Sequence, residues 1–134
     1  MKTEELMRFD WVRLKDDATP RQIDWIRSGE VGLLWNKIVT PPYLEPIPPT
    51  PEILEKNGFV ANKHVYPYPY YEYINKEDKL KIGFAFPQGN RTSYKEPWVY
   101  IDSERVFIEH LPCIFVHQLQ HVLRLCRIDK IIEL

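Results

Sequence analysis

The stretch "VTPPYLEPIPPTPEILEKNGF", residues 39–59, constrains the fold more than any other part of the chain. Proline has no backbone N–H for a sheet ladder and holds φ near −65°. Pro41, Pro42, Pro46, Pro48 and Pro49 therefore bar an interior strand, and the segment runs extended, as polyproline II or a sheet edge. Thr50 then caps a short helix, with Pro51 at the first position, where a missing N–H costs nothing. Glu52 suits the positive end of that helix, Lys56 the negative end, and Gly58 a left-handed stop. Ile53 and Leu54 are its expected buried anchors. The joint divides a single compact domain, 1–134, into sub-lobes 1–49 and 59–134 joined by a helix over 50–57. "PIPPTP" also fits a PxxP-type ligand, but a stiff connector is the favoured reading.

A chain of 134 residues buries roughly 68% of its unfolded surface, so its core needs no metal or disulfide as a staple. The half before the joint is rich in aromatic and branched residues. "LMRFDWVRL" reads as a strand with a loop at Asp16 and Asp17, and "RQIDWIRSGEVGLLW" as a hairpin turning at Ser28-Gly29. Val31, Leu33 and Trp35 alternate onto one side. These short strands suit a bent N-terminal β-sheet or an SH3-like barrel. After the joint, "YYEYI" and "LKIGFAF" flank the loop "NKEDK", and "WVYID" and "RVFIE" make a second hairpin. Leu80, Ile82, Phe84 and Phe86 alternate with Lys81, Gly83 and Ala85, so one face packs and the other is narrow or wet. A helix from about Pro112 to about Arg127 covers this antiparallel β-meander, and the class is α+β.

A net charge of −1 argues against non-specific affinity for nucleic acid, which basic stripes carry. The N-terminus has no signal-peptide core, and no apolar run approaches the ~18 residues of a membrane span, so a cytoplasmic protein without membrane contact is expected. Placed on one helix, Cys113 and Cys126 would stand roughly 20 Å apart. That exceeds the ~7 Å limit for a disulfide, so free thiols are expected.

The most chemical stretch is "VHQLQHVLRL", residues 116–125, with His117 and His121 at i, i+4. At 100° per residue, Phe115, Val116, Leu119, Val122, Leu123 and Cys126 share one apolar arc. His117, Gln120, His121, Arg124 and Arg127 fall opposite, away from the core. The H-E-x-x-H motif needs a glutamate beside the first histidine as general base, and Gln118 stands there. Cys113, His117 and His121 at i, i+4, i+8 would span about 12 Å, too far to share one ion with ~2 Å bonds. The expectation is no metal and no cofactor, with His117, His121 and Arg124 on a solvated or partner-facing helix surface. A second candidate is "YPYPYYEY". In an extended chain Tyr66, Tyr68 and Tyr70 fall on one side, and the row continues to Tyr73. Exposed tyrosines act as interface hot spots or base-stacking platforms, while packing against the sheet is the more ordinary use.

Two stretches, "EPIPPTPEILEKNGF" and "VHQLQHVLRLCRIDKIIEL", resemble paired signatures of small uncharacterised proteins from gut Bacteroidales genomes and their phages or mobile elements. A segment like "RFDWVRL" precedes them in that family. The likeness covers the end segments and the joint, and it implies a bacterial or phage cytoplasm without implying an activity. Where the family pattern carries glycine, this chain has Arg127, which makes a left-handed helix stop harder. The expected role is that of a non-catalytic accessory protein of a phage or mobile element, binding another protein. A nucleic-acid-binding module, or a binder of a small nucleotide-like ligand in a Tyr- and Trp-lined pocket, is the alternative. A metal-dependent hydrolase ranks last.

Overall fold

The computed structural model describes residues 5–34, 37–62, 70–77, 79–86, 96–104 and 107–134, with the side chains of Tyr70, Glu109 and His110 outside that description. The class is α+β, as the alternation of short strands and one amphipathic helix implies. Backbone contacts divide the chain into two compact units. The first holds the chain up to Pro48 together with Phe115–Ile132 and Leu134; the second holds Pro49–Ile114 with Glu133. This differs from the division expected at the joint helix, because the C-terminal helix groups with the N-terminal strands.

In the first unit, β1 (Trp11–Leu14), β2 (Asp17–Arg27), β3 (Glu30–Leu33), β4 (Lys37–Val39) and β5 (Leu44–Pro46) form one antiparallel sheet in the order β4-β3-β2-β1-β5. The sheet curls because β2 is long enough to serve two neighbours. Its first half pairs with β1, its second half with β3, and the register shifts between Ile23 and Trp25. A bulge of this kind bends a strand and sharpens its twist. The concave side collects Leu6, Val12, Leu14, Ile23, Val31, Leu33 and Leu44 into a buried core. The hairpin turns at Ser28-Gly29 as expected; Trp35 lies outside the described residues. β1 starts only at Trp11, because residues 7–10 form a turn instead of extending the strand. Pro41–Tyr43 make a single 3-10 turn, and the proline-rich run after it supplies the edge strand β5, which pairs with β1.

α1 (Pro51–Lys56) opens the second unit. The Thr50 hydroxyl accepts from the Ile53 N–H at 3.3 Å, and Glu52 and Lys56 sit at the ends where the sequence places them. Gly58, at φ 88, donates to the Glu55 carbonyl, and the Phe59 N–H donates to the Leu54 carbonyl. This is a Schellman stop, with Leu54 and Phe59 as its buried hydrophobic pair. Ile53 is only half-buried, so Leu54 is the true anchor.

β6 (Val60–Asn62), β7 (Tyr70–Asn75), β8 (Leu80–Ala85), β9 (Trp98–Asp102) and β10 (Phe107–Pro112) then form an antiparallel meander in the order β10-β9-β8-β7-β6. β8 is central and buried on both faces: Leu80, Ile82 and Phe84 on one, Gly83 and Ala85 on the other. The second face is covered because the Tyr100 ring lies across Gly83, where any Cβ would collide with it.

α2 (Val116–Leu125) begins four residues later than the sequence suggests. β10 keeps pairing to Pro112, opposite Trp98, and so holds that segment extended. Cys113 is therefore not on the helix; it is buried, and its N–H donates to the Pro97 carbonyl. Both cysteines are free thiols. At the N-terminus of α2, Gln118 reaches back to accept the Phe115 N–H at 3.1 Å. α2 packs against β1 within the first unit.

Candidate functional site: a polar helix face and the cleft beside it

The site starts at the turn Met7–Asp10. The Asp10 N–H donates to the Met7 carbonyl at 3.1 Å, and Phe9 takes φ 72. Glycine favours that left-handed region, and a bulky aromatic there is an outlier that persists only where surrounding structure over-determines it. Here the determinants are plain. The Phe9 N–H donates to the Ile23 carbonyl at 2.7 Å, the Ile23 N–H to the Asp10 carbonyl at 3.0 Å, and the Gln22 amide to the Phe9 carbonyl at 3.2 Å. The Arg8 guanidinium lies 4.7 Å from the Phe9 ring centroid.

The turn directs the Asp10 carboxylate inward, where it is fully buried. Its Oδ2 accepts from the Met7 N–H at 2.7 Å and meets His121 Nε2 at 2.8 Å. Arg124 stands 3.8 Å from Oδ1 and also donates to the Arg8 carbonyl at 2.6 Å. A carboxylate only accepts, so the hydrogen of this contact sits on His121 Nε2, which donates to Asp10.

The helix arc expected to face solvent is thus largely an internal bonding surface. His117 is 3% exposed and Gln120 2%. Gln120 donates to the Lys130 carbonyl and accepts the Ile132 N–H, both at 2.7 Å, and so pins the C-terminal tail. Hydrophilic periodicity marks a face that needs polar partners. It does not say whether water or the protein's own backbone supplies them.

His117 stacks on Phe115 with centroids 5.8 Å apart and meets the His121 ring edge-on at 5.7 Å. Its buried Nδ1 has no hydrogen-bond partner among the described residues. Burial holds its pKa below the ordinary 6.5; Asp10 and Glu5 oppose this, and the neighbouring His121 adds to it. His117 is therefore neutral at pH 7. Glu5, Pro46, Phe115, His117, Gln118 and His121 line a cleft of about 410 Å³. No hydroxyl or thiol is among these wall residues, so no nucleophile–base pair is assembled in it. Among the described residues no three His, Cys, Asp or Glu groups are arranged to hold a metal.

The tyrosine row fares differently. Tyr66 and Tyr68 lie outside the described residues. Tyr70 opens β7, with its side chain undescribed. Tyr73 is half-buried, its ring 5.5 Å from that of Phe59, which is the ordinary packing use of an aromatic.

A second surface, which the sequence reading missed, lies on the convex side of the first sheet. Trp25 pairs with Gly32, and Gly32 with Ile38, so the three share one face. The Trp25 indole lies flat across Gly32, where a Cβ would occupy the same space as the ring. Arg27 sits 4.8 Å from the Trp25 ring centroid, and Ile38 is 60% exposed beside them. Arg8, paired with Asp24 at 3.2 Å, bounds this patch. A small residue opposite a tryptophan in paired strands was the available signal, but it needs the register to be read.

No protein-family model matches this chain, and no curated protein or solved structure matches it. Among the described residues, no helix is long and apolar enough to cross a membrane.

Proposed function

We propose that this chain is a non-catalytic protein-binding module, an accessory factor of a bacterial mobile element or phage, whose first unit is an SH3-like barrel. The strand order β4-β3-β2-β1-β5, the bent β2 shared by both halves of the sheet, and the 3-10 turn before β5 support the barrel reading. The resemblance of the joint and last helix to Bacteroidales mobile-element proteins supports the setting, and a bacterial cytoplasm with it. The observation that carries the binding role is the Trp25 patch: an indole under an arginine, with an exposed isoleucine in the next strand. Interface hot spots are enriched in tryptophan and arginine. Gln120, His121 and Arg124 of α2 are engaged in internal hydrogen bonds, which favours a structural role for them over acid–base chemistry.

The test is capture from bacterial lysate with wild type, Trp25→Ala and, as a control on the other unit, Val60→Ala, each shown to be folded by circular dichroism. A partner protein retained by wild type and Val60→Ala but lost by Trp25→Ala supports the reading. Equal capture by all three would sink it. Recovery of nucleic acid released between about 50 and 200 mM salt would hand the role to the phosphate-driven alternative.

A further inference from the structure

We propose that β4 is a docking edge, to which an acidic, extended segment of the partner protein adds as an antiparallel strand, with an apolar side chain opposite Ile38 and a carboxylate opposite Lys37. This rests on the protein-binding reading and names the partner's chemistry beside the Trp25 patch. The edges of the two sheets differ in what protects them. β5 ends at Pro46, which has no N–H to offer, and the Ile47 carbonyl after it accepts the Val116 N–H at 2.8 Å. β6 lies against α1. β10 carries a register shift between Ile108 and Leu111, and a bulge of this kind twists an edge away from a new neighbour. β4 has none of these devices. It pairs with β3 alone, and no described residue outside β3 bonds to the backbone of Lys37–Val39. Alternate residues of such an edge turn N–H and C=O outward, and those groups hold an added strand. All pairings in this sheet are antiparallel, so the addition continues its pattern.

Side chains then choose the partner. Residues directly opposite in an antiparallel pair project from the same face. A residue opposite Ile38 therefore joins the face of Trp25 and Gly32, and an apolar side chain there extends the patch. The residue opposite Lys37 falls on the other face. Lys37 is exposed and in no ion pair among the described residues. An edge lysine discourages pairing in general, but it also sets a sign: a carboxylate opposite it is favoured, and a basic residue is repelled. A second copy, paired through its own β4 about Ile38, would set Val39 opposite Lys37 and leave that charge unmatched. The chain leaves the sheet after Val39 for the 3-10 turn, so the bound segment is short.

The full chain, with its backbone amides isotope-labelled, is titrated by NMR with acetyl-Val-Glu-Val-Glu-Val-amide; acetyl-Val-Lys-Val-Lys-Val-amide is the charge control. The expected result is saturable movement of the β4 amides, with the acidic peptide bound about fivefold more tightly than the basic one, as a cross-strand ion pair gives. Lys37→Glu, a substitution of an exposed residue, should reverse that preference. Two further peptides separate backbone pairing from side-chain contact, one N-methylated at every glutamate and the other at every valine. Only alternate N–H groups of a strand face its neighbour, so one methylated peptide should lose binding and the other keep it. The proposal fails if the acidic peptide leaves β4 unmoved at millimolar concentration, if Lys37→Glu keeps the wild-type preference, or if the two methylated peptides bind alike. Movement of β4 that grows with protein concentration alone would overturn it in favour of a second copy. Lysate capture lost by Trp25→Ala alongside an unmoved β4 would remove the strand addition and leave the protein-binding reading standing. A β4 that takes the acidic peptide while capture ignores Trp25 would keep the edge and remove the patch.

Discussion

Arg127 shows how one residue can carry a conformation its type disfavours. It takes φ 58, donates to the Arg124 carbonyl, and lets the Ile128 N–H reach the Leu123 carbonyl at 2.9 Å. This is the same Schellman stop that Gly58 makes after α1, closed by buried Leu123 and Ile128. Glycine is the usual residue at such a stop, yet arginine keeps the geometry. Left-handed backbone costs a non-glycine residue about 1–2 kcal/mol, so Arg127→Gly should stabilise the protein by about 1 kcal/mol in urea melts. An unchanged or lower midpoint would show that the arginine side chain contributes contacts worth more than the strain. His117 makes a second residue-scale prediction. Its pKa is lowered in the folded state, so the unfolded chain binds the proton more readily. The sign follows: its contribution is fully present above the ordinary value of 6.5 and is lost as pH falls through the lower folded value. His117→Gln should therefore flatten the decline in stability below about pH 6.5 relative to wild type. Parallel stability–pH curves for the two proteins would refute this.

Among the elements, α1 is the one most fully legible in the sequence. Its cap, its proline, its terminal charges and its glycine stop are all local, and local signals need no knowledge of the fold. Thr50→Ala removes the hydroxyl that accepts the Ile53 N–H and should cost roughly 1 kcal/mol, measured by denaturant unfolding. A cost below a few tenths would mean that water replaces the cap without penalty. The start of α2 was misplaced because strand pairing to Trp98 overrides helix propensity at Pro112, and pairing partners are not written in the segment itself. β8 was partly legible: alternation marked its second face as narrow or wet, and the ring of Tyr100 over Gly83 makes it the narrow one.

Across the molecule, Gln120 joins parts that no periodicity connects. It bonds to Lys130 and Ile132, and the Trp11 indole N–H donates to the Ile132 carbonyl at 2.6 Å, so helix, tail and first strand close on one another inside the first unit. Gln120→Leu would leave buried backbone groups of the tail without partners, at about 1–3 kcal/mol each, and should destabilise by about 2–4 kcal/mol despite the better apolar match. Faster hydrogen exchange at the Ile132 amide should accompany it. A melt unchanged within about 0.5 kcal/mol would mean the tail is anchored by Ile128 and Ile132 alone.

By itself the sequence determined the class, the proline-bounded joint, the Ser28-Gly29 hairpin and which arc of α2 is apolar. Each of these rests on bonds or repeats spanning a few residues. The tertiary structure alone decided that α2 belongs with β1 and that its polar arc turns inward to Asp10 and the tail. It also set Trp25 across Gly32 under Arg27, and brought Glu5 to the cleft wall with His121. The physical reason is common to all four. A side chain's chemistry fixes what it must bond to, but the partner lies from several to more than a hundred residues away, and only register and packing choose it.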